Sequence, residues 1–68
     1  MNANEKPTCD LTGVDGNVFA IMGTVNRTLK NEGFKDEAKE MCARVWASGS
    51  YAEALAIMGE YVEIEMEG

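Results

Sequence analysis

The chain has 68 residues and no histidine. That absence removes the commonest general base near neutral pH and the commonest zinc ligand. Only two cysteines are present, Cys9 and Cys42, far apart in sequence. They cannot supply the four ligands of a structural zinc site. Spacing alone does not decide whether they pair with each other. No unbroken apolar run approaches the roughly 20 residues of a membrane span. The opening residues 1–8 are polar and hold no apolar stretch of signal-peptide length. The expectation is a cytoplasmic protein with reduced thiols. Bases are scarce as well: six Lys and Arg stand against twelve Asp and Glu, for a net charge of −6. After Ser50 come Glu53, Glu60, Glu63, Glu65 and Glu67, and no base at all. Nucleic acid and anionic membrane both call for clustered Lys and Arg, so direct binding to either is not expected. A basic protein partner fits the charge.

What is present is one small domain. A chain this short buries only about 60% of its unfolded surface. Its core supplies roughly 3–5 kcal/mol, so a partner or a second copy matters for stability. Residues 1–7 read as a flexible tail closed by Pro7, and residues 8–68 as the domain. Thr8–Leu11 reads as a short strand with Cys9 and Leu11 on one face. Two glycines with Asp15 and Asn17 then make a turn, and Asn17 or Asp15 caps a first helix. Val18, Met22, Val25 and Leu29, with Ile21 beside them, repeat at helical spacing up to a stop at Gly33. A second helix runs from about Lys35 to Ala47 on the stripe Ala38, Met41 and Val45, with Phe34 just before it. Asp36 and Glu37 open it and Arg44 lies near its end, as the helix dipole favours. Ser50 and Glu53 form a capping box for a third helix with Tyr51, Leu55, Met58 and Val62 on one face.

The last segment, Val62–Glu67, alternates strictly. Val62, Ile64 and Met66 share one side; Glu63, Glu65 and Glu67 share the other, a strand pattern. The expected fold is therefore α+β: three helices with a two-stranded ribbon made by the chain ends. Antiparallel pairing is expected because it is the commoner kind.

The tetrapeptide Ala-Ile-Met-Gly occurs twice, at residues 20–23 and 56–59. A mid-helix glycine costs about 1 kcal/mol relative to alanine. That cost is reasonable where a neighbouring backbone comes close, so both copies read as packing strips. Ala20 and Gly23 would receive a helix, the ribbon or another subunit.

No catalytic or ligand pattern emerges. A calcium loop starting at Asp15 fails, with Phe19 at the fifth position and no glutamate at the twelfth. Gly13–Gly16 lacks the Gly-Lys-Ser/Thr ending of a phosphate loop. Cys42 has no histidine to activate it and reads as a structural thiol. Neither a catalytic residue, a metal nor a cofactor is expected. Phe19 and Trp46 lie at the edges of their helix stripes, where large aromatics usually rim the core, but tryptophan is also a favoured interface anchor. Same-face residues along a strand stand about 6.5–7 Å apart. That is about two nucleotide rises along one DNA strand. The row Glu63, Glu65 and Glu67 thus imitates a phosphate backbone, or else guards an edge against aggregation.

Asp15, Gly16, Asn17, Phe19, Gly23 and Gly33, followed by Ser48, Gly49 and Tyr51, resemble a family of short acidic proteins from bacteria and their phages. The resemblance covers roughly residues 11–62. It carries no activity. It implies a mobile-element origin and, by analogy with small acidic phage proteins, the binding and blocking of a host protein. The leading expectation is a non-catalytic protein-interaction module, an inhibitor of a host nucleic-acid-binding protein by mimicry. Its candidate contact residues are Phe19, Gly23, Trp46, Glu63, Glu65 and Glu67. The alternative is a small homo-oligomer with a structural or regulatory role.

Overall fold

The computed structural model describes residues 6–66. Its elements are β1 (Thr8–Asp10), α1 (Val18–Asn31), α2 (Lys35–Trp46), α3 (Tyr51–Gly59) and β2 (Glu63–Glu65). Each helix begins where local chemistry allows. The Asn17 side chain accepts a hydrogen bond from the Phe19 amide at 2.7 Å and caps α1. Ser50 does the same for α3, its hydroxyl accepting from the Glu53 amide at 3.1 Å. No side chain caps α2; Asp36 and Glu37 in its first turn face the positive end of the helix dipole instead.

A glycine-dependent stop ends α1. Gly33 has φ +88°, a left-handed conformation that strains any residue with a Cβ. The amide of Phe34 reaches back to the Leu29 carbonyl at 2.8 Å, and that of Gly33 to Lys30 at 3.1 Å. This pair of bonds satisfies carbonyls that the helix end would leave bare.

The core is built from one stripe of each helix. Ile21, Val25 and Leu29 of α1 meet Ala38, Met41 and Val45 of α2 and Ala54, Ile57 and Met58 of α3. Cys9, Leu11, Tyr61 and Val62 close it from the ribbon side. Burying a leucine or methionine side chain contributes about 1.5–3 kcal/mol, so Leu29, Met41 and Met58 are principal contributors.

On α3 the buried face differs from the sequence expectation. Tyr51 is exposed and Leu55 half-buried, whereas Ala54 and Ile57 are buried. The helix ends at Gly59, so Val62 does not continue its register. The amides of Tyr61 and Val62 both turn back to the Met58 carbonyl, at 3.0 and 3.2 Å. That tight exit sends both side chains inward.

The ribbon corrects a second expectation: β1 and β2 run parallel, not antiparallel, with Thr8 opposite Glu63, Cys9 opposite Ile64 and Asp10 opposite Glu65. A parallel pair needs a long crossover, and the three helices provide it. The ribbon also takes in the end of the stretch read as a tail. Pro7 is buried, and its carbonyl accepts from the Glu63 amide at 2.9 Å. The Lys6 ammonium donates to the Gly59 carbonyl at 3.1 Å. Both cysteines are free thiols, Cys9 buried and Cys42 half-buried.

Candidate functional site

Phe19 is the second residue of α1 and Trp46 the last of α2. Helical periodicity turns both away from the buried stripes. They meet on the surface, ring centroids 5.1 Å apart and planes tilted by 41°. Such a pair is worth about 0.5–1.5 kcal/mol beyond the area it covers. Even so, Phe19 keeps 54% and Trp46 66% of its surface exposed. Beside them opens a cleft of about 320 Å³ between the start of α1, the end of α2 and the residues 48–51. Tyr51 forms part of its wall and ties the turn before α1 in place, donating its hydroxyl to the Gly16 carbonyl at 2.6 Å. The cleft therefore has aromatic walls and a floor of Val45 and Ala54. It lies at the small end of the size range of ligand pockets, about 300–1,000 Å³.

The end of α2 is held by a polar clasp. The Arg44 guanidinium donates to both carboxylate oxygens of Glu60, at 2.8 and 2.9 Å, and to the Tyr61 hydroxyl at 3.2 Å. The Tyr61 hydroxyl in turn donates to Glu40. Arg44 holds the Glu60 carboxyl below the usual range. Burial, then the Glu40 hydrogen bond, pushes the Tyr61 phenol up. The clasp fixes α2 to the exit of α3 two residues before Trp46.

The acidic row lies on the ribbon. Glu63 and Glu65 are exposed on its outer face, and Glu67 lies outside the described residues. The parallel register adds a group that the sequence reading passed over: Asp10 stands directly beside Glu65. Its carboxyl is held down by a hydrogen bond from the Thr12 amide, at 2.8 Å. Strand alternation in Thr8–Leu11 already turns Asp10 away from the Cys9 and Leu11 face; the parallel register is what sets it beside Glu65.

Gly23 stands apart from the cleft. It is exposed on α1, one turn beyond Phe19, and among the described residues nothing beyond its own stretch of helix lies within 4 Å of where a Cβ would sit. The same is true of Gly59. The Lys6 ammonium reaches the Gly59 carbonyl, but among the described residues no neighbouring element fills the Cβ side of either glycine, so the close packing expected there within the chain is absent. The two copies of the tetrapeptide differ even at methionine, Met58 being fully buried and Met22 half-buried.

Cys42 donates to the Asn26 carboxamide oxygen at 3.6 Å, and burial pushes its thiol pKa up, away from the reactive thiolate. Among the described residues, no three His, Cys, Asp or Glu side chains gather as a metal site. Among them, too, no helix is long and apolar enough to cross a membrane. No family model, curated protein or solved structure matches the chain.

Proposed function

We propose that the chain is a non-catalytic protein-interaction module that docks through the Phe19–Trp46 pair. The observation that carries this reading is that the two rings pack tilted against each other yet stay mostly in water, at the mouth of a largely apolar cleft. Large aromatics in such a setting are the usual anchors of a protein interface. The ribbon supplies a second contact: Asp10, Glu63 and Glu65 form a negative strip matched to a basic groove on the partner. With the mobile-element origin that the resemblance implies, the partner is a host nucleic-acid-binding protein and the strip takes the place of its phosphate backbone.

Affinity capture from host lysate with four baits tests this: wild type, Trp46→Ala, Phe19→Ala and the triple Glu63→Gln, Glu65→Gln, Glu67→Gln. The reading expects a protein retained by wild type and lost by the aromatic variants, whose binding to DNA or RNA the wild-type chain competes. A captured protein retained equally by all four baits contradicts it.

A homo-oligomer is the second reading, favoured by the bare flank at Ala20 and Gly23. The cost of a mid-helix glycine, about 1 kcal/mol, has no compensation from the rest of the described chain. A second copy packed there would provide it.

A further inference from the structure

The ribbon has an edge that the fold leaves open. Its ladder is fixed by two flanking hydrogen bonds: the Glu63 amide donates to Pro7, and the Leu11 amide donates to Glu65 at 2.8 Å. With Cys9 opposite Ile64, the ladder runs through Pro7, Cys9 and Leu11 on one side and Glu63 and Glu65 on the other. Alternate residues of a strand direct their peptide groups to opposite sides. The N–H and C=O of Ile64 therefore point away from β1, and no hydrogen bond reaches them among the described residues. β1 is the strand that packs on α1; β2 is the outer strand. Across the end of the ribbon lies a groove of about 510 Å³, lined by Asp10 and Thr12 from the β1 side and by Ile64, Glu65 and Met66 from the β2 side. Met66 is 61% exposed there.

We infer that this edge of β2 receives an extended basic segment of a partner protein, which pairs with Ile64 as a third strand of the sheet. Strand addition takes its affinity from main-chain hydrogen bonds and its specificity from alternate side chains. Here the side chains name the occupant. On the outer face Glu63 and Glu65 flank the Ile64 position, with Asp10 beside Glu65. On the inner face stands Ile64, packed against the core, and just past the strand Met66 is exposed. The segment that fits carries a Lys or Arg, then an apolar residue, then another Lys or Arg. Its cations lie across from the glutamates and its apolar side chain lies against Ile64.

A second copy of the chain fits badly. Two β2 strands paired antiparallel about Ile64 would set Glu63 of each opposite Glu65 of the other, and like charges directly opposite are destabilising. The same charges that keep the edge from self-pairing select a basic strand.

The inference rests on the proposed function for the basic character of the partner, but its mode of contact is separate. The probe is an acetylated and amidated Lys-Val-Lys-Val-Lys peptide, titrated into the full 68-residue chain at low salt. Three chains are compared: the wild type, a synthetic chain N-methylated at the Ile64 amide, and the Glu63→Gln, Glu65→Gln variant. Amide fingerprint spectra check that each is folded. Strand addition expects hydrogen exchange at the Ile64 amide of the wild type to slow at least tenfold at saturation. It expects the N-methylated chain, with every charge and side chain kept, to bind at least tenfold more weakly, and the Gln variant likewise. Unchanged exchange at Ile64 overturns the inference, as does full-strength binding by the N-methylated chain. If that full-strength binding is lost only in the Gln variant, the ribbon attracts cations through charge alone, and the proposed function stands without strand addition. Absence of any binding at millimolar peptide also overturns it.

Discussion

Arg44 grips Glu60 with both ends of its guanidinium, at 2.8 and 2.9 Å, and so ties the last turn of α2 to the exit of α3. The pair is exposed, so its value lies in geometry. It sets the direction in which α2 delivers Trp46 to the surface. The charges it touches also give stability a defined pH window. Glu60 titrates below its ordinary value because Arg44 favours the carboxylate. Its contribution is present above the unfolded carboxyl pKa of about 4.3 and is lost as pH falls through the lower folded value. Tyr61 titrates above its ordinary value because burial disfavours the phenolate. Its contribution is present below about pH 10 and is lost as pH rises through the higher folded value. Thermal midpoints of wild type and Glu60→Gln should therefore diverge at pH 6 and converge as pH falls through the lowered folded value of Glu60. Tyr61→Phe should close the gap with wild type above pH 10.

Leu29 lies fully buried where α1 faces both other helices and accepts the Phe34 amide at its carbonyl. Leu29→Ala should cost about 2–5 kcal/mol. A core of this size holds roughly 3–5 kcal/mol in all, so the variant should be largely unfolded at 25 °C. Urea titration followed by circular dichroism measures it.

The glycines separate by backbone conformation. Gly23→Ala meets nothing within 4 Å and should stabilise the chain by up to about 1 kcal/mol. Gly33→Ala, also in open space but at φ +88°, should destabilise it by about 1–2 kcal/mol. If a second copy packs on the Ala20 flank, Gly23→Leu should dissociate it, which sedimentation of the wild type and the variant reads directly.

The two thiols should react in sequence. Cys42 is half-buried, with its pKa pushed up. It should label with Ellman's reagent slowly at pH 7, and faster as pH rises. Cys9, at 1% exposure, should label only as the domain unfolds. Labelling of the native chain, with and without urea, counts one thiol and then two.

Much of the fold was legible because its signals are local. Asn17, Gly33 and Ser50 mark helix ends by their own chemistry, and the structure uses all three. Strand direction was misjudged because it is not local. Pairing frequency favoured antiparallel, yet the elements alternate through four connections. If each connection turns the chain back, an even number of turns returns it to its first direction. The parallel ribbon follows, and with it the place of Asp10 beside Glu65. The face of α3 was misread because periodicity was carried past Gly59, where the helix stops. Phe19 and Trp46 were visible singly as stripe-edge aromatics. Their meeting depends on the crossing of α1 and α2, which no spacing within either helix encodes. Tyr51 shares the expected α3 face with Leu55 and Met58 by spacing alone, and its hydrogen bond to the Gly16 carbonyl on a distant turn is likewise not encoded within the helix.

The central claim is that the exposed Phe19–Trp46 pair is the anchor of a protein interface. Calorimetric titration of the partner captured by the wild-type chain, against wild type, Phe19→Ala, Trp46→Ala and the double variant, tests it most directly. Interface anchors cost about 2 kcal/mol or more when truncated, so Trp46→Ala should weaken binding by about 30-fold while circular dichroism and the thermal midpoint show a folded chain. The double variant should fall short of the sum of the two single losses, because the rings act as one surface. Equal affinity across all four chains would contradict the claim and leave the pair as a surface contact that only joins α1 to α2.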